Sequence, residues 1–161
     1  MHFRKMTPDD WEKVKDIYLQ GIATGNATFQ KEAPSWEEWD KGHMGFSRII
    51  SNDERNNITG WCALSPVSSR CVYAGVAEVS VYVATAYAGM QIGTRLLRQL
   101  ITESEANGIW TLQAGIFPEN KASIRIHEKE GFRLVGYREK IGQMDGIWRD
   151  TLLLERRSND I

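Results

Sequence analysis

The stretch EVSVYVATAYAGMQIGTRLL, residues 78–97, carries the local signals that decide the fold. Its first six residues, Glu78–Val83, are rich in β-branched and aromatic side chains, which favour a strand. Gly89 and Gly93 mark a turn, and from Ile92 onward apolar residues recur at helical spacing. A strand that feeds a helix through such a turn directs free backbone N–H groups toward one point. That arrangement suits an anion such as a pyrophosphate.

The composition of the chain predicts one soluble domain. Of its 161 residues, 42% are hydrophobic and 25% are charged, and the net charge of −1 favours neither nucleic acid nor an anionic membrane as partner. We expect a single domain over residues 1–161 with a frayed tail at 156–161. Cys62 and Cys71 lack metal-ligand spacing, so we expect free thiols in the cytoplasm and no metal. No apolar run reaches the roughly 18 residues that a membrane span needs.

Alternating strand and helix signals outside this stretch predict a mixed α/β (α+β) fold. The predicted element order is β-α-α-β-β-β-α-β-α-β-β, with helices packed on one sheet. Ser35 and Glu38 form a capping-box pair at the start of the second helix. The predicted strands cover residues 2–6, 46–51, 58–64, 78–83, 110–116, 132–140 and 148–155.

Three segments together resemble a known family. They are the Glu78–Thr94 strand and turn, the segment PENKASIRIHEKEGF at residues 118–132, and the turn GQMDGIWRD at residues 142–150. In this order and spacing they are similar to the GCN5-related N-acetyltransferase (GNAT) superfamily, and within it to the phosphinothricin N-acetyltransferase group. The resemblance implies the GNAT fold, acetyl-CoA as co-substrate and a homodimer.

The resemblance also implies which residues bind the coenzyme. The strand backbone binds the pantetheine arm like an added strand, and the following turn binds the pyrophosphate. An ordinary central strand and a plain helix-start turn are the structural alternatives. The implied coenzyme contacts are Val81, Tyr82, Val83, Gly89, Met90, Gln91, Ile92, Gly93, Thr94, Asn120 and Ser123, where Asn120 is equally a helix cap.

Two departures from the family pattern weaken specific expectations. The superfamily turn usually reads Arg/Gln-x-x-Gly-x-Gly/Ala, whereas this chain has Ala88, Gln91 and Gly93 there. A non-glycine residue at positive φ at Gln91 would cost on the order of 1–2 kcal/mol. Relatives that acetylate phosphinothricin or methionine sulfone carry a basic residue four positions before the glutamate, where this chain has Ala74. A substrate carboxylate would lack that partner.

Two side chains are candidates for proton transfer in acetylation. Glu78 is the predicted general base, acting through a water on the amine, and we expect a partly buried carboxylate with a raised pKa. A solvated glutamate at a strand end is the alternative. His127 shares a helix face with Asn120 and Ser123 and is the candidate acid for the departing thiolate; a hydrogen-bonded core histidine is the alternative.

The resemblance therefore implies an acetyltransferase of the EC 2.3.1 type. It would move the acetyl group of acetyl-CoA to the primary amine of a small molecule, such as an amino acid or analogue, by direct attack in a ternary complex. Alternatives are a polyamine or protein N-terminal acetyltransferase, and a non-catalytic acyl-CoA sensor. Aromatic residues flanking the expected substrate pocket are Phe29, Tyr73 and Trp148, although aromatic residues at such positions are more often core residues than contacts.

Overall fold

A computed structural model describes all 161 residues as a seven-stranded mixed sheet with four α-helices, in the predicted element order. This result confirms the predicted fold class. The strands are β1 (His2–Lys5), β2 (Ile49–Asn52), β3 (Ile58–Pro66), β4 (Val76–Val83), β5 (Thr111–Ile116), β6 (Arg133–Met144) and β7 (Ile147–Arg157). The helices are α1 (Trp11–Ala23), α2 (Trp36–Gly42), α3 (Ile92–Ala106) and α4 (Lys121–Lys129).

The sheet contains one parallel pair of strands, and that pair is short. The strand order is β1-β2-β3-β4-β5-β7-β6, and every neighbouring pair except β4–β5 is antiparallel. β4 and β5 pair only from Val76 to Glu78, opposite Thr111 to Gln113. Beyond that point β4 stays paired with β3, and β5 stays paired with β7. The sheet therefore divides into two arms at Glu78.

The helices cover both faces of the sheet, as strand alternation requires. Ile49 and Cys62 face the cluster that contains the apolar side of α3. Their neighbours Ile50 and Trp61 face the opposite cluster, which is built around α1 and Trp39 of α2. Both clusters contain side chains that are almost fully buried, so each sheet face contributes to the core. None of the helices combines the length and the apolar character needed to cross a membrane.

Two predicted boundaries were wrong. The last strand continues to Arg157 rather than fraying from residue 156, because Ser158 N–H donates to the Trp110 carbonyl at 2.7 Å and Arg156 pairs with Glu105 at 2.9 Å. The final hairpin turns at Asp145 and Gly146 only, so its strands are longer than predicted. Both turn residues have positive φ, 52° and 79°, as a tight two-residue turn requires.

Gly60 on β3 tests how closely the strands and α3 are packed. A Cβ built there would lie 2.9 Å from the Tyr82 carbonyl oxygen and from Leu96 Cδ1. We expect Gly60→Ala to lower the free energy of unfolding by about 1–3 kcal/mol, since the clashing carbonyl belongs to a paired strand. Gly136→Ala on β6, where an added Cβ meets nothing within 4 Å, is the control. Equal urea midpoints for the two variants would contradict the packing argument.

Candidate active site

The division of the sheet leaves the inner edge of β4 without a strand partner. The Ala84 N–H donates to the Thr59 carbonyl at 2.8 Å, toward β3. Backbone groups alternate sides along a strand, so the amides of Tyr82 and Ser80 also point toward β3. The amides of Val81 and Val83 point to the other side, from which β5 has diverged after the Glu78–Gln113 pair. Of the predicted pantetheine partners, Val81 and Val83 present their amides to this gap and Tyr82 does not.

The turn after β4 forms a second group of free backbone donors. Six consecutive N–H groups, from Gly89 to Thr94, donate no hydrogen bond within the chain. The last three belong to the first turn of the fifteen-residue helix α3, whose N-terminus carries a partial positive charge. No arginine or lysine lies within the turn itself, because Ala88 replaces the side chain expected there. An anion bound at this turn therefore meets six main-chain N–H donors and no cationic side chain from the turn itself.

The conformation of this turn explains its residues. Gln91 is the residue preceding α3 and has φ 61° and ψ 18°, the left-handed region, which confirms the positive φ expected there. Gly89 has φ 79°, and Met90 between them is more than half exposed. Gly93 packs closely, since an added Cβ would lie 3.1 Å from Ile126 Cδ1 on α4. Strain at Gln91 is thus stored where the free amides converge.

Glu78 lies at the division of the sheet, although not in the environment that we predicted. It is the last β4 residue paired with β5, and its Oε1 lies 3.8 Å from the position of an added Cβ on Gly115. The expected partial burial was wrong, because the side chain is exposed. Helix α1 covers this face of the sheet only nearer the C-terminal end of β4. There the ring centroids of Tyr18 and Tyr82 lie 5.0 Å apart. The carboxylate can therefore reach both solvent and the gap.

His127 is a buried and neutral imidazole. It is 5% exposed, and burial lowers the pKa of His127, opposed only by a backbone hydrogen bond. Its Nδ1 lies 2.8 Å from the Ser123 carbonyl oxygen, which can only accept, so the neutral ring carries its proton on Nδ1. Its Nε2 is buried without a partner. At neutral pH this ring has an unpaired acceptor and no proton on Nε2 to give.

Asn120 acts as the cap of α4. Its Oδ1 accepts from the Ser123 N–H at 3.2 Å, which confirms the capping alternative, and its amide nitrogen donates to the Asn26 carbonyl at 3.2 Å. The Ser123 hydroxyl lies 3.4 Å from His127 Nδ1. A coenzyme contact from either residue stays a prediction.

Arg149 is a structural centre of the site that the sequence reasoning missed. Its guanidinium donates to the Gly25 carbonyl and to Asn26 Oδ1, each at 2.8 Å, and pairs with Glu119 at 3.3 Å. It also lies 4.1 Å from the centre of the Phe117 ring. These contacts fasten the loop after α1 to β7 and to the start of α4. The sequence GIWRD at residues 146–150 contained the signal, an arginine on a half-buried strand.

The three predicted substrate aromatics have three different environments. Phe29 packs edge-on against Phe117 at 4.8 Å and covers Gly142, so its ring is part of the wall between the α1 loop and β6. Tyr73 is 45% exposed beside Arg70 and shares a shallow depression with Gln113, the residue paired with Glu78. Trp148 is 57% exposed near the hairpin turn. The structure does not bring these side chains into one pocket.

Comparison with known proteins identifies the class to which this architecture belongs. The acetyltransferase (GNAT) family model matches residues 11–132. A phosphinothricin N-acetyltransferase of Streptomyces coelicolor is 30% identical over 155 residues, covering 92% of this chain and 91% of that protein. An L-methionine sulfoximine/L-methionine sulfone acetyltransferase of Pseudomonas aeruginosa is 28% identical, covering 86% and 85%.

A solved structure shows the same architecture. The phosphinothricin acetyltransferase of Sinorhizobium meliloti, crystallised with AcCoA, superposes with a TM-score of 0.87 at 27% identity, over 97% of this chain and 87% of that one. The chain belongs to the GNAT acetyltransferase family. It is an acetyl-CoA-dependent N-acetyltransferase, which confirms the predicted family, enzyme class and co-substrate. The free amides of β4 and of the turn fit that co-substrate, since a pantetheine arm and a pyrophosphate are both acceptors.

The strain at Gln91 can be measured with two substitutions. Gln91→Gly and Gln91→Ala both remove the side chain, but only glycine adopts positive φ without cost. We expect the glycine variant to exceed the alanine variant in free energy of unfolding by on the order of 1 kcal/mol. Urea denaturation of both variants gives the difference. An alanine variant at least as stable as the glycine variant would show that this backbone is unstrained.

Burial of neutral His127 predicts a pH dependence of stability. The unfolded ring takes up a proton below about pH 6.5 and the folded ring resists it, so stability falls as the pH drops below 7. Each buried neutral histidine contributes up to about 1.4 kcal/mol per pH unit to the slope of the unfolding free energy against pH. Burial also lowers the pKa of His43, so His43 adds to this slope. His127→Asn should reduce the slope between pH 7 and 5.5, whereas His2→Asn at an exposed position should not. An unchanged slope in His127→Asn would refute the buried neutral ring.

Proposed function

We propose that this single-domain enzyme, residues 1–161, acetylates the primary amine of a small molecule by direct attack in a ternary complex. The observation that carries the proposal is the coincidence of Glu78 with the point where β4 and β5 separate. The thioester beside the free β4 edge and the amine beside the Glu78 carboxylate then meet at one position. The relatives that act on phosphinothricin or methionine sulfone support a small acceptor.

Glu78 serves as the general base in this proposal. The carboxylate accepts a proton from the ammonium group through a water molecule, because only the neutral amine has a lone pair. The amine nitrogen then bonds to the acetyl carbon, and the amides of Val81 and Val83 are positioned along the edge where the carbonyl oxygen becomes an oxyanion. The nitrogen, positively charged after the attack, loses its second proton to solvent. Collapse of the intermediate then breaks the C–S bond, and the thiolate leaves.

Protonation of the leaving thiolate is assigned to water rather than to His127. The proton of the neutral imidazole lies on Nδ1 and is bound to the Ser123 carbonyl, so none is available on Nε2. A thiolate with an ordinary pKa of about 8.5 leaves without an obligatory acid. His127 then helps to order α4, which packs on Gly93 of the coenzyme turn through Ile126.

We also propose that the protein is a cytoplasmic homodimer. Free Cys62 and Cys71 fit a reducing compartment. Apolar side chains project from the long β6–β7 hairpin and are between 43% and 64% exposed, an apolar surface of the kind that a second copy covers. These residues are Leu134, Val135, Tyr137, Ile141, Ile147 and Trp148.

The role of Glu78 is tested by Glu78→Gln, which keeps the shape of the side chain and removes the base. We expect kcat to fall roughly 10²–10⁴-fold, because one positioned proton transfer contributes about that much. The Kd for acetyl-CoA should stay within about twofold, and activity should recover partly at high pH, where free amine forms in solution. Release of the coenzyme thiol reports kcat, and calorimetry reports Kd.

Glu12→Gln, at an exposed position on α1, is the matched control for that substitution. It should leave both kcat and the Kd for acetyl-CoA unchanged. An unchanged rate of Glu78→Gln at saturating amine would remove Glu78 from the mechanism. A loss of coenzyme binding would instead make Glu78 a structural residue at the point where β4 and β5 separate.

A further inference from the structure

A cleft of about 440 Å³ lies on the same face of β4 as Glu78. Ser80 and Tyr82 form part of its wall, and side chains at positions i, i+2 and i+4 of a strand share a face. Ser80 lies roughly 7 Å along the strand from Glu78, from a rise of about 3.3 Å per residue. The cleft therefore begins within the length of a small molecule from the proposed base.

Four aromatic side chains, Tyr18, Trp39, Trp61 and Tyr82, line part of this cleft. The rings of Trp61 and Tyr82 are stacked, with centroids 4.9 Å apart, and Tyr18 and Trp39 pack against them. The indole N–H groups of Trp39 and Trp61 are buried without hydrogen-bond partners, and their residues are 3% and 1% exposed. Buried unpaired donors are rare in native proteins. An indole N–H can only donate, so these two groups do not bind an ammonium, and the attraction for a cation comes from the aromatic faces and the carboxylates.

The charged side chains in the wall are all acidic. Glu32 and Glu38 line the cleft, and neither lysine nor arginine does. His43, the remaining titratable base in the wall, is neutral at pH 7, because burial lowers its pKa. The cleft thus presents two carboxylates and the partly exposed rings of Tyr18 and Tyr82, both of which attract cations.

Basic residues near the cleft are already paired elsewhere. Lys31, between two lining residues, binds the Asp145 carboxylate. Arg48 lies 5.1 Å from the Trp39 ring but is paired with Asp40, and it also donates to the carbonyls of Met44 and His43. Neither of these two cations is therefore free to bind a substrate carboxylate in the cleft, and Ala74 occupies the position where relatives carry a base.

We infer that the acceptor is a small organic cation, a diamine without a carboxylate, rather than an amino acid. This inference rests on the proposed acetyl transfer. The amine to be acetylated lies at Glu78, and the second ammonium group lies in the cleft against Glu38, Glu32 and the aromatic rings. An α-carboxylate in the same cleft meets two like charges and no arginine.

Two matched substrate pairs test the inference. 1,4-Diaminobutane and 1-aminobutane differ in the second ammonium group, and 1,5-diaminopentane and lysine differ in the α-carboxylate. We expect kcat/KM to be at least about tenfold higher for the diamine in each pair. A tenfold ratio corresponds to a free-energy difference of about 1.4 kcal/mol. Equal or better turnover of lysine or phosphinothricin would overturn the inference and leave acetyl transfer intact.

Substitutions place the second cation in the cleft. Glu38→Gln and Glu32→Gln should each raise KM for 1,4-diaminobutane roughly threefold to fivefold, the effect of an exposed charge pair, and leave 1-aminobutane unchanged. Glu37→Gln, on the same turn of α2 but outside the cleft, is the control and should change neither KM. A diamine preference that survives both cleft variants would exclude this cleft as its source.

Binding measured without turnover separates this inference from the proposed function. Titration with 1,4-diaminobutane should change the tryptophan fluorescence of the wild-type protein, and Glu38→Gln should weaken that binding. Binding without thiol release on any amine would refute acetyl transfer but keep the cation site. Thiol release without a preference for diamines, and without binding of 1,4-diaminobutane, would support acetyl transfer and refute the cation site.

Discussion

The separation of β4 from β5 after three residue pairs is the constraint on which the site depends. A parallel pair that continued would satisfy the amides of Val81 and Val83 within the sheet. Instead β7 pairs with β5 and β3 with β4, so each arm is held from its outer side. The free edge is stable because the rest of the sheet is long and both of its faces are packed. One topological feature thus supplies the donors and, through the position of Glu78, the base.

Other contacts arrange the surroundings of this gap. The strained turn at Gln91 brings six free amides to the start of α3, and close packing of Gly93 on Ile126 fixes that helix against α4. Arg149 fastens the loop after α1 to the same end of the molecule. That loop leads into the segment carrying Glu32 and to α2, which carries Glu38, so the wall of the cleft is anchored on the same scaffold as the coenzyme turn.

Sequence periodicity was sufficient for the element order, because each strand and helix has its own local pattern. The positive φ at Gln91 was predictable because a glycine is usual at that position. The exposure of Glu78 was not predictable from the sequence, because it depends on how far α1 extends over the sheet. The Asp145–Gly146 pair was an overlooked local signal for a tight hairpin turn. The acidic aromatic cleft had no local signal, because it joins residues between Tyr18 and Tyr82 that meet only in the folded chain.

The central claim is that free main-chain amides bind the coenzyme. Titration of ¹⁵N-labelled protein with acetyl-CoA, followed through backbone amide chemical shifts, tests it most directly. We expect the largest changes at Val81, Val83 and Gly89–Thr94, with little change at Tyr82 and Ser80, whose amides are paired with β3. Saturable binding that leaves those groups unshifted, or shifts confined to another surface, would contradict this account.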